Sequence, residues 1–241
     1  LNGKRFDKGG YILTYDYDKW SFIDPKEAQK KLNLPRNPRD YTSIAVTTDD
    51  SNEEIVYASS MGDGVIQYKN GTPVQSYNEK NAFKETAGGY GSGYCYIDGL
   101  AFDKNGNLWM TSSEVNHAVL VLDKAGAWHR LDIEQLRGVY TINDILITST
   151  NDKWIYVPRN TPKLVMIPNS ESLDEVSSYE FTTLIDTDGK ELTPSNYTCV
   201  AEDKDGYIWV GTNRGAVYFT KPRISSAEDK AATCLLYTSP S

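Results

Sequence analysis

Cysteine and histidine are scarce in this sequence, which holds three of the first and two of the second in 241 residues. Cys95, Cys199 and Cys234 show no pairwise metal spacing, and an odd number cannot close a disulfide framework, so buried free thiols are expected. His117 and His129 form neither an HxH nor an HExxH pattern and lack a cysteine partner, which excludes the common zinc arrangements. No metal and no cofactor is expected. No apolar run approaches the roughly 20 residues that span a bilayer, so no membrane span is expected. The polar, charged opening after Leu1 is no signal peptide. A basic stripe is missing too: 25 Lys and Arg stand against 33 Asp and Glu, a net charge of -8, and nucleic acid is excluded as a partner.

Nucleophilic catalysis lacks its parts as well. Neither a GxSxG elbow nor a Cys/His pair appears. The strings DKNGN at Asp103 and DKDG at Asp203 resemble the start of a calcium loop, but they lack the downstream bidentate acid and the flanking helices, so they read as turns. A single histidine on a loop can act as a general base, which makes His117 the one catalytic candidate. The chain is nonetheless read as non-enzymatic.

What is abundant is flat and aromatic: 17 Tyr and 5 Trp against 6 Phe and 3 Met. Such side chains suit pleated strands, and the expected class is all-β. One pattern recurs four times, an apolar strand, an Asp/Asn/Gly turn and a strand with a central aromatic, beginning at Tyr41, Tyr96, Thr141 and Asn196. Aligning Tyr57, Trp109, Tyr156 and Trp209 gives intervals of 52, 47 and 53 residues. A second strand pair begins at Gly10, Gly64, His117 and Pro162. Four strands per period, with no long helix, predict a β-propeller of four-stranded antiparallel blades. The ring is incomplete, with about four blade equivalents.

The expected divisions are an outer half-blade (1–24), an inter-blade loop (25–40), three blades (41–95, 96–140 and 141–195), an inner half-blade (196–224) and a tail (225–241). Within the loop, Pro25–Leu32 is the one helical candidate, with Asp24 as its cap and Pro first. Residues 234–241, CLLYTSPS, match a translation of the transposase-end sequence used in DNA library preparation, and are set aside as an artefact. Because Leu1 is not an initiator Met, the chain reads as an internal piece of a longer protein.

Strand direction puts the turns between first and second and between third and fourth strands on one face of the disc. The second-to-third turns and the blade-to-blade connections fall on the other. The first face carries tight structural turns. The second carries the longer loops, 78–94 and 184–196, and binding residues concentrate on such loops. The candidate ligand or partner residues are therefore Asp63, Tyr90, Tyr94, Asn116, His117, Arg159, Asn160, Asn213 and Arg214.

AEDKDGYIWVGTNRGAVYF at Ala201 and GLAFDKNGNLWMTSS at Gly99 resemble the two-component regulator propeller repeat, found in extracytoplasmic proteins of Bacteroidetes-type bacteria. Trp209, Gly211 and Thr212 match that repeat, whereas Met110, Thr111 and the strand from Tyr156 to Arg159 depart from it. The longer run from Ser43 to Leu131 resembles the sortase-associated propeller family of type IX secretion. That resemblance implies a periplasmic or outer-membrane surface location and a sortase-like protein or anionic lipopolysaccharide as partner. The alternative it leaves open is the periplasmic oligosaccharide-sensing propeller of a hybrid two-component histidine kinase. A propeller lyase is the third reading.

Overall fold

The structure, a computed structural model, describes residues 10–83, 94–185 and 188–219, together with the backbone of Cys234–Tyr237. A two-stranded hairpin comes first, β1 (Ile12–Asp16) and β2 (Lys19–Ile23), followed by α1 (Pro25–Leu32). The helix starts where the sequence places it: the Asp24 carboxylate accepts the Lys26 N–H at 2.9 Å, with Pro25 opening the first turn. It ends at Asn33, whose left-handed backbone, φ 51°, turns the chain out of the helix.

Blade 1 is β3 (Tyr41–Thr48), β4 (Glu54–Gly62), β5 (Gly64–Lys69) and β6 (Thr72–Tyr77). Blade 2 is β7 (Cys95–Phe102), β8 (Leu108–Ser112), β9 (Val119–Leu122) and β10 (Trp128–Leu131). Blade 3 is β11 (Ile145–Ile147), β12 (Lys153–Val157), β13 (Lys163–Ile167) and β14 (Tyr179–Phe181). All neighbours within a blade are antiparallel. The end of β4 also pairs with β7, through Met61↔Tyr96 and Gly62↔Cys95, so blades 1 and 2 share one eight-stranded sheet.

The connection at 184–196 is not plain loop. It holds a short hairpin, β15 (Leu184–Ile185) against β16 (Glu191–Leu192). Where the sequence reading expects an inner half-blade over 196–224, three strands stand as blade 4: β17 (Tyr197–Glu202), β18 (Ile208–Thr212) and β19 (Gly215–Phe219). A fourth, β20 (Cys234–Tyr237), pairs with the outer edge of β19. Its four residues belong to the segment set aside as an artefact. An open strand edge offers main-chain hydrogen bonds to any extended segment, whatever its origin.

The repeat has a clear physical anchor. In each blade the first turn closes with a main-chain bond across four residues, from Asp49 to Glu53, Asp103 to Asn107, Thr148 to Asp152 and Asp203 to Tyr207. Six residues after the turn begins come Ile55, Trp109, Trp154 and Trp209. The Asp103 carboxylate accepts the N–H groups of Asn105 and Asn107 and the Trp109 indole N–H, all at 2.9 Å. Asp203 accepts the Trp209 indole at 2.7 Å in the same way. Thr148 replaces the acid in blade 3, and the Trp154 indole N–H has no partner.

This register corrects the alignment of aromatics. Tyr57 and Tyr156 do not match Trp109 and Trp209; they share the position of Thr111 and Gly211, two residues on. The strand period of two keeps both positions on one face, so sequence alone does not separate them.

Apolar clusters fill every seam. The hairpin and α1 meet blade 1 through Ile12, Ala28, Val56 and Ile66. Blade 1 meets blade 2 through Ala45, Val65, Leu108 and Met110. Trp109, Val121, Ile155 and Val165 join blades 2 and 3, and Trp154, Phe181, Val210 and Phe219 join blades 3 and 4. Lys153 stands where blades 2 and 4 have Leu108 and Ile208. It is buried with its ammonium 4.4 Å from the Trp109 ring centroid. Burial lowers its pKa, against the pull of Asp103 and Asp152.

Asp103→Ala strands the buried Trp109 N–H and is expected to cost about 2–4 kcal/mol in urea unfolding followed by tryptophan fluorescence. Asp203→Ala, at a solvent-open turn, is expected to cost less. Equal losses at the two positions would mean that burial does not set the strength of the clamp.

Candidate functional site

On the face that carries the second-to-third turns, the expected residues divide into structural and displayed ones. Asp63 is structural. Its carboxylate accepts the Arg36 Nε–H at 2.7 Å and the Arg39 main-chain N–H at 3.2 Å, which pins the connection between α1 and β3. Tyr94 is buried against Tyr96, edge to face at 5.3 Å, so it is not displayed for a ligand. Tyr90 lies outside the described residues. The Asn213 side-chain oxygen accepts the N–H groups of Ser195 and Asn196, at 2.9 and 3.2 Å, and so fastens the start of β17. Arg214 beside it is exposed.

The remaining residues lie around the border of blades 2 and 3. Asn116 is exposed and His117 half-buried, in the turn that the Ser112 N–H closes onto the Ala118 carbonyl at 2.8 Å. Two further main-chain bonds, Glu114 to Val139 and Gly138 to Val115, tie this turn to the 132–144 connection. That connection includes a short 3-10 turn, Glu134–Leu136. In the opposite turn Arg159 is half-buried, and Asn160 is exposed with φ 70°.

Between these segments lies a cleft of about 750 Å³ lined by Glu134, Gln135, Arg137, Tyr140, Asn160 and Lys163, among others. Its cations have acidic neighbours: Arg137 pairs with Asp132, and Lys163 lies 3.4 Å from Glu180. Arg137 holds the Asp132 carboxyl below the usual range, and His117 adds to that effect. Of the nine expected residues, Asn160 lines this cleft and His117 acts on Asp132 at its edge.

The sequence reading missed an acidic group closer to the inner strands. Asp98 lies in a β-bulge of β7, between Ile97 and Leu100, and accepts the Ser113 hydroxyl at 2.7 Å. Burial pushes its carboxyl up to about 7, against the Ser113 bond, with Glu114 and Asp144 adding to the rise. Burial raises Glu114 and Asp144 as well. Gly99 lets the two inner strands close here, because a Cβ on it would stand 2.8 Å from both the Asp144 carboxylate and the Ile145 nitrogen. Three acids on separate segments leave no local sequence signal. Among the described residues no group of three His, Cys, Asp or Glu side chains is placed to hold a metal.

Residues 191–214 match the family model described as two component regulator propeller. This stretch is a two-component regulator propeller repeat. It runs from β16 through β18 and contains the Asp203–Trp209 clamp. The chain is similar in fold to PorZ, an essential surface component of the type IX secretion system of Porphyromonas gingivalis, with TM-score 0.76 and 21% identity. The similarity covers 87% of this chain and 29% of that one, so the chain spans under a third of the protein it matches. The extracellular domain of a putative one-component system of B. thetaiotaomicron matches with TM-score 0.53 and 17% identity, over 80% of this chain and 22% of that one. A catalytically inactive virginiamycin B lyase from Staphylococcus aureus, solved with quinupristin, matches with TM-score 0.61 and 15% identity, over 97% and 65%. A comparison with curated proteins finds no match. At these identities the likeness establishes the propeller fold.

Because native Asp98 binds its proton more tightly than an unfolded aspartate, its ionisation opposes folding. Stability from this group is fully present only below about pH 4, where an unfolded aspartate is protonated too, and is lost as pH rises from there through about 7. Asp98→Asn is therefore expected to raise the thermal midpoint at pH 8 and to change it little at about pH 4. An equal effect at both values would contradict the raised pKa.

Proposed function

We propose that this chain is part of a non-enzymatic, extracytoplasmic propeller that docks a protein partner on its second-to-third-turn face, in a surface component of the type IX secretion kind. The observation that carries the docking reading is the acidic character of that face. Asp132, Glu134 and Glu180 stand around the cleft against two cations, Arg137 and Lys163, and Glu114 and Asp144 lie nearer the inner strands beside Asp98, which ionises as pH rises through about 7. A polyanion such as lipopolysaccharide would meet like charge here, which costs affinity. A basic or neutral segment of a sortase-like protein suits the face better. The likeness to PorZ supports the surface setting, and the rigid scaffold under long connections supports binding over chemistry.

The second reading, an oligosaccharide sensor, draws support from the regulator-propeller repeat at 191–214 and from the exposed Tyr140 beside the cleft. A sugar ring would stack on such an aromatic face.

The readings separate in one binding series, with the immobilised chain offered a type IX sortase, anionic lipopolysaccharide and neutral oligosaccharides. The expected result is salt-sensitive capture of the sortase, weakened about tenfold or more by Glu134→Lys with Asn160→Lys. Capture of neutral sugar that Tyr140→Ala abolishes would favour the sensor. Lipopolysaccharide binding strengthened by the two lysines would overturn the acidic docking face.

A further inference from the structure

The face that carries the tight turns holds a cleft of its own, about 430 Å³ in volume, between the first and last turns of blade 2 and the 168–178 connection from β13 to β14. That connection is fastened to blade 3, since the Asn169 N–H donates to the Asp152 carboxylate at 2.8 Å and the Asn151 amide donates to the Asn169 side-chain oxygen at 2.9 Å. Asp103, Trp109, Asp123, His129, Glu171 and Asp174 are among the lining residues, together with Lys153, which is only 2% exposed.

Lys153 is the odd member of its layer, because the equivalent residues Leu108 and Ile208 are apolar and buried. Among the described residues its ammonium makes no hydrogen bond and no ion pair; its one close polar contact is the Trp109 ring at 4.4 Å. The nearest acids act on it only through space, since their oxygens are committed elsewhere. Asp103 accepts the Asn105 and Asn107 N–H groups, the Asn107 amide and the Trp109 indole, and Asp152 accepts the Asn169 N–H and the Thr150 hydroxyl. An ammonium taken out of water and given no acceptor loses more than one aromatic face returns, which favours the neutral amine. Burial accordingly lowers the pKa of Lys153, against the pull of Asp103 and Asp152.

We propose that Lys153 is a carbonyl-capturing site, and that the cleft beside it admits small neutral aldehydes, which the amine takes as an imine. The ammonium first gives one proton to solvent. The amine nitrogen then attacks the aldehyde carbon to form a carbinolamine, and loss of water, made of the carbonyl oxygen and the two remaining amine hydrogens, leaves the C=N bond. No oxidant or reductant is needed. The acids set the selectivity. Glu171 and Asp174 are exposed, and His129 stands between Asp123, at 2.9 Å, and Asp174, at 3.7 Å, so it offsets their charge only when protonated. An aldehyde that carries a carboxylate therefore meets like charge on its way in. This site is separate from the docking face and does not rest on that reading.

The test incubates the 241-residue chain with glycolaldehyde or with glyoxylate in the presence of cyanoborohydride, which reduces an imine to a stable secondary amine, and reads each lysine by peptide mass spectrometry. At about pH 7 glycolaldehyde is expected to label Lys153 roughly tenfold or more faster than the exposed Lys204, because more of its amine is free. The ratio is expected to fall towards one at about pH 10.5, where an ordinary lysine is also free, and in urea, where the cleft is gone. Relative to Lys204, glyoxylate is expected to label Lys153 about tenfold more slowly than glycolaldehyde does, and Glu171→Gln with Asp174→Asn to close that gap. A ratio of one or less at pH 7 in the folded chain overturns the proposal. So does a preference that survives in urea, since it then comes from the local sequence and not from the cleft. Equal labelling by glyoxylate and glycolaldehyde overturns the choice of neutral aldehydes.

Discussion

A four-stranded antiparallel blade whose alternate side chains are apolar on both faces cannot satisfy itself. It must lie between two others, and every other feature of this chain follows from that requirement. Four seams bury the apolar side chains here, and each draws on the strands of adjacent blades together with residues of the connections between them. The strands are short, so no blade encloses a core of its own. Even the charged Lys153 takes its place in the stack, lying over the Trp109 ring with Asp103 and Asp152 near.

Within this stack, polar groups align the blades where apolar packing alone would let them slide. Thr42 donates to the Ile97 carbonyl at 2.8 Å, Thr111 to the Asn143 carbonyl at 2.9 Å, and Tyr156 to the Thr198 carbonyl at 3.2 Å. Each bond joins one blade to the inner strand of the next or to the residues just before it. A hydrogen bond has direction, whereas dispersion does not, so three such stitches set the angular step of the array. The Asp–Trp clamp does the corresponding work inside blades 2 and 4, since it fixes the first turn and the seam-facing indole together.

The rigid stack decides what the second-to-third-turn face can display. Residues with good hydrogen-bonding chemistry were recruited by the scaffold: Asp63 holds Arg36 and Arg39, and Asn213 holds the start of β17. Their type and loop position were visible in the chain, yet their partners lie 17 to 27 residues away along it. Asn160 and the cleft beside it remain exposed, with Asp132 and Glu134 of the 132–144 connection and Glu180 of β14 around them.

From the sequence by itself came the all-β class, the blade period, the capped helix at Pro25–Leu32 and the turn positions, because each is written in local chemistry: alternation of apolar residues, Asp and Gly at turns, Asp before Pro at a helix start. Tertiary structure alone decided the rest. It chose Trp154 over Tyr156 as the equivalent of Trp109, because two residues of a strand share a face and only the ladder separates them. It joined blades 1 and 2 through the end of β4 and folded a hairpin into the 184–196 connection. It also gathered Asp98, Glu114 and Asp144, with Gly99 letting the segment of Asp144 approach β7, a distance that no spacing along the chain encodes.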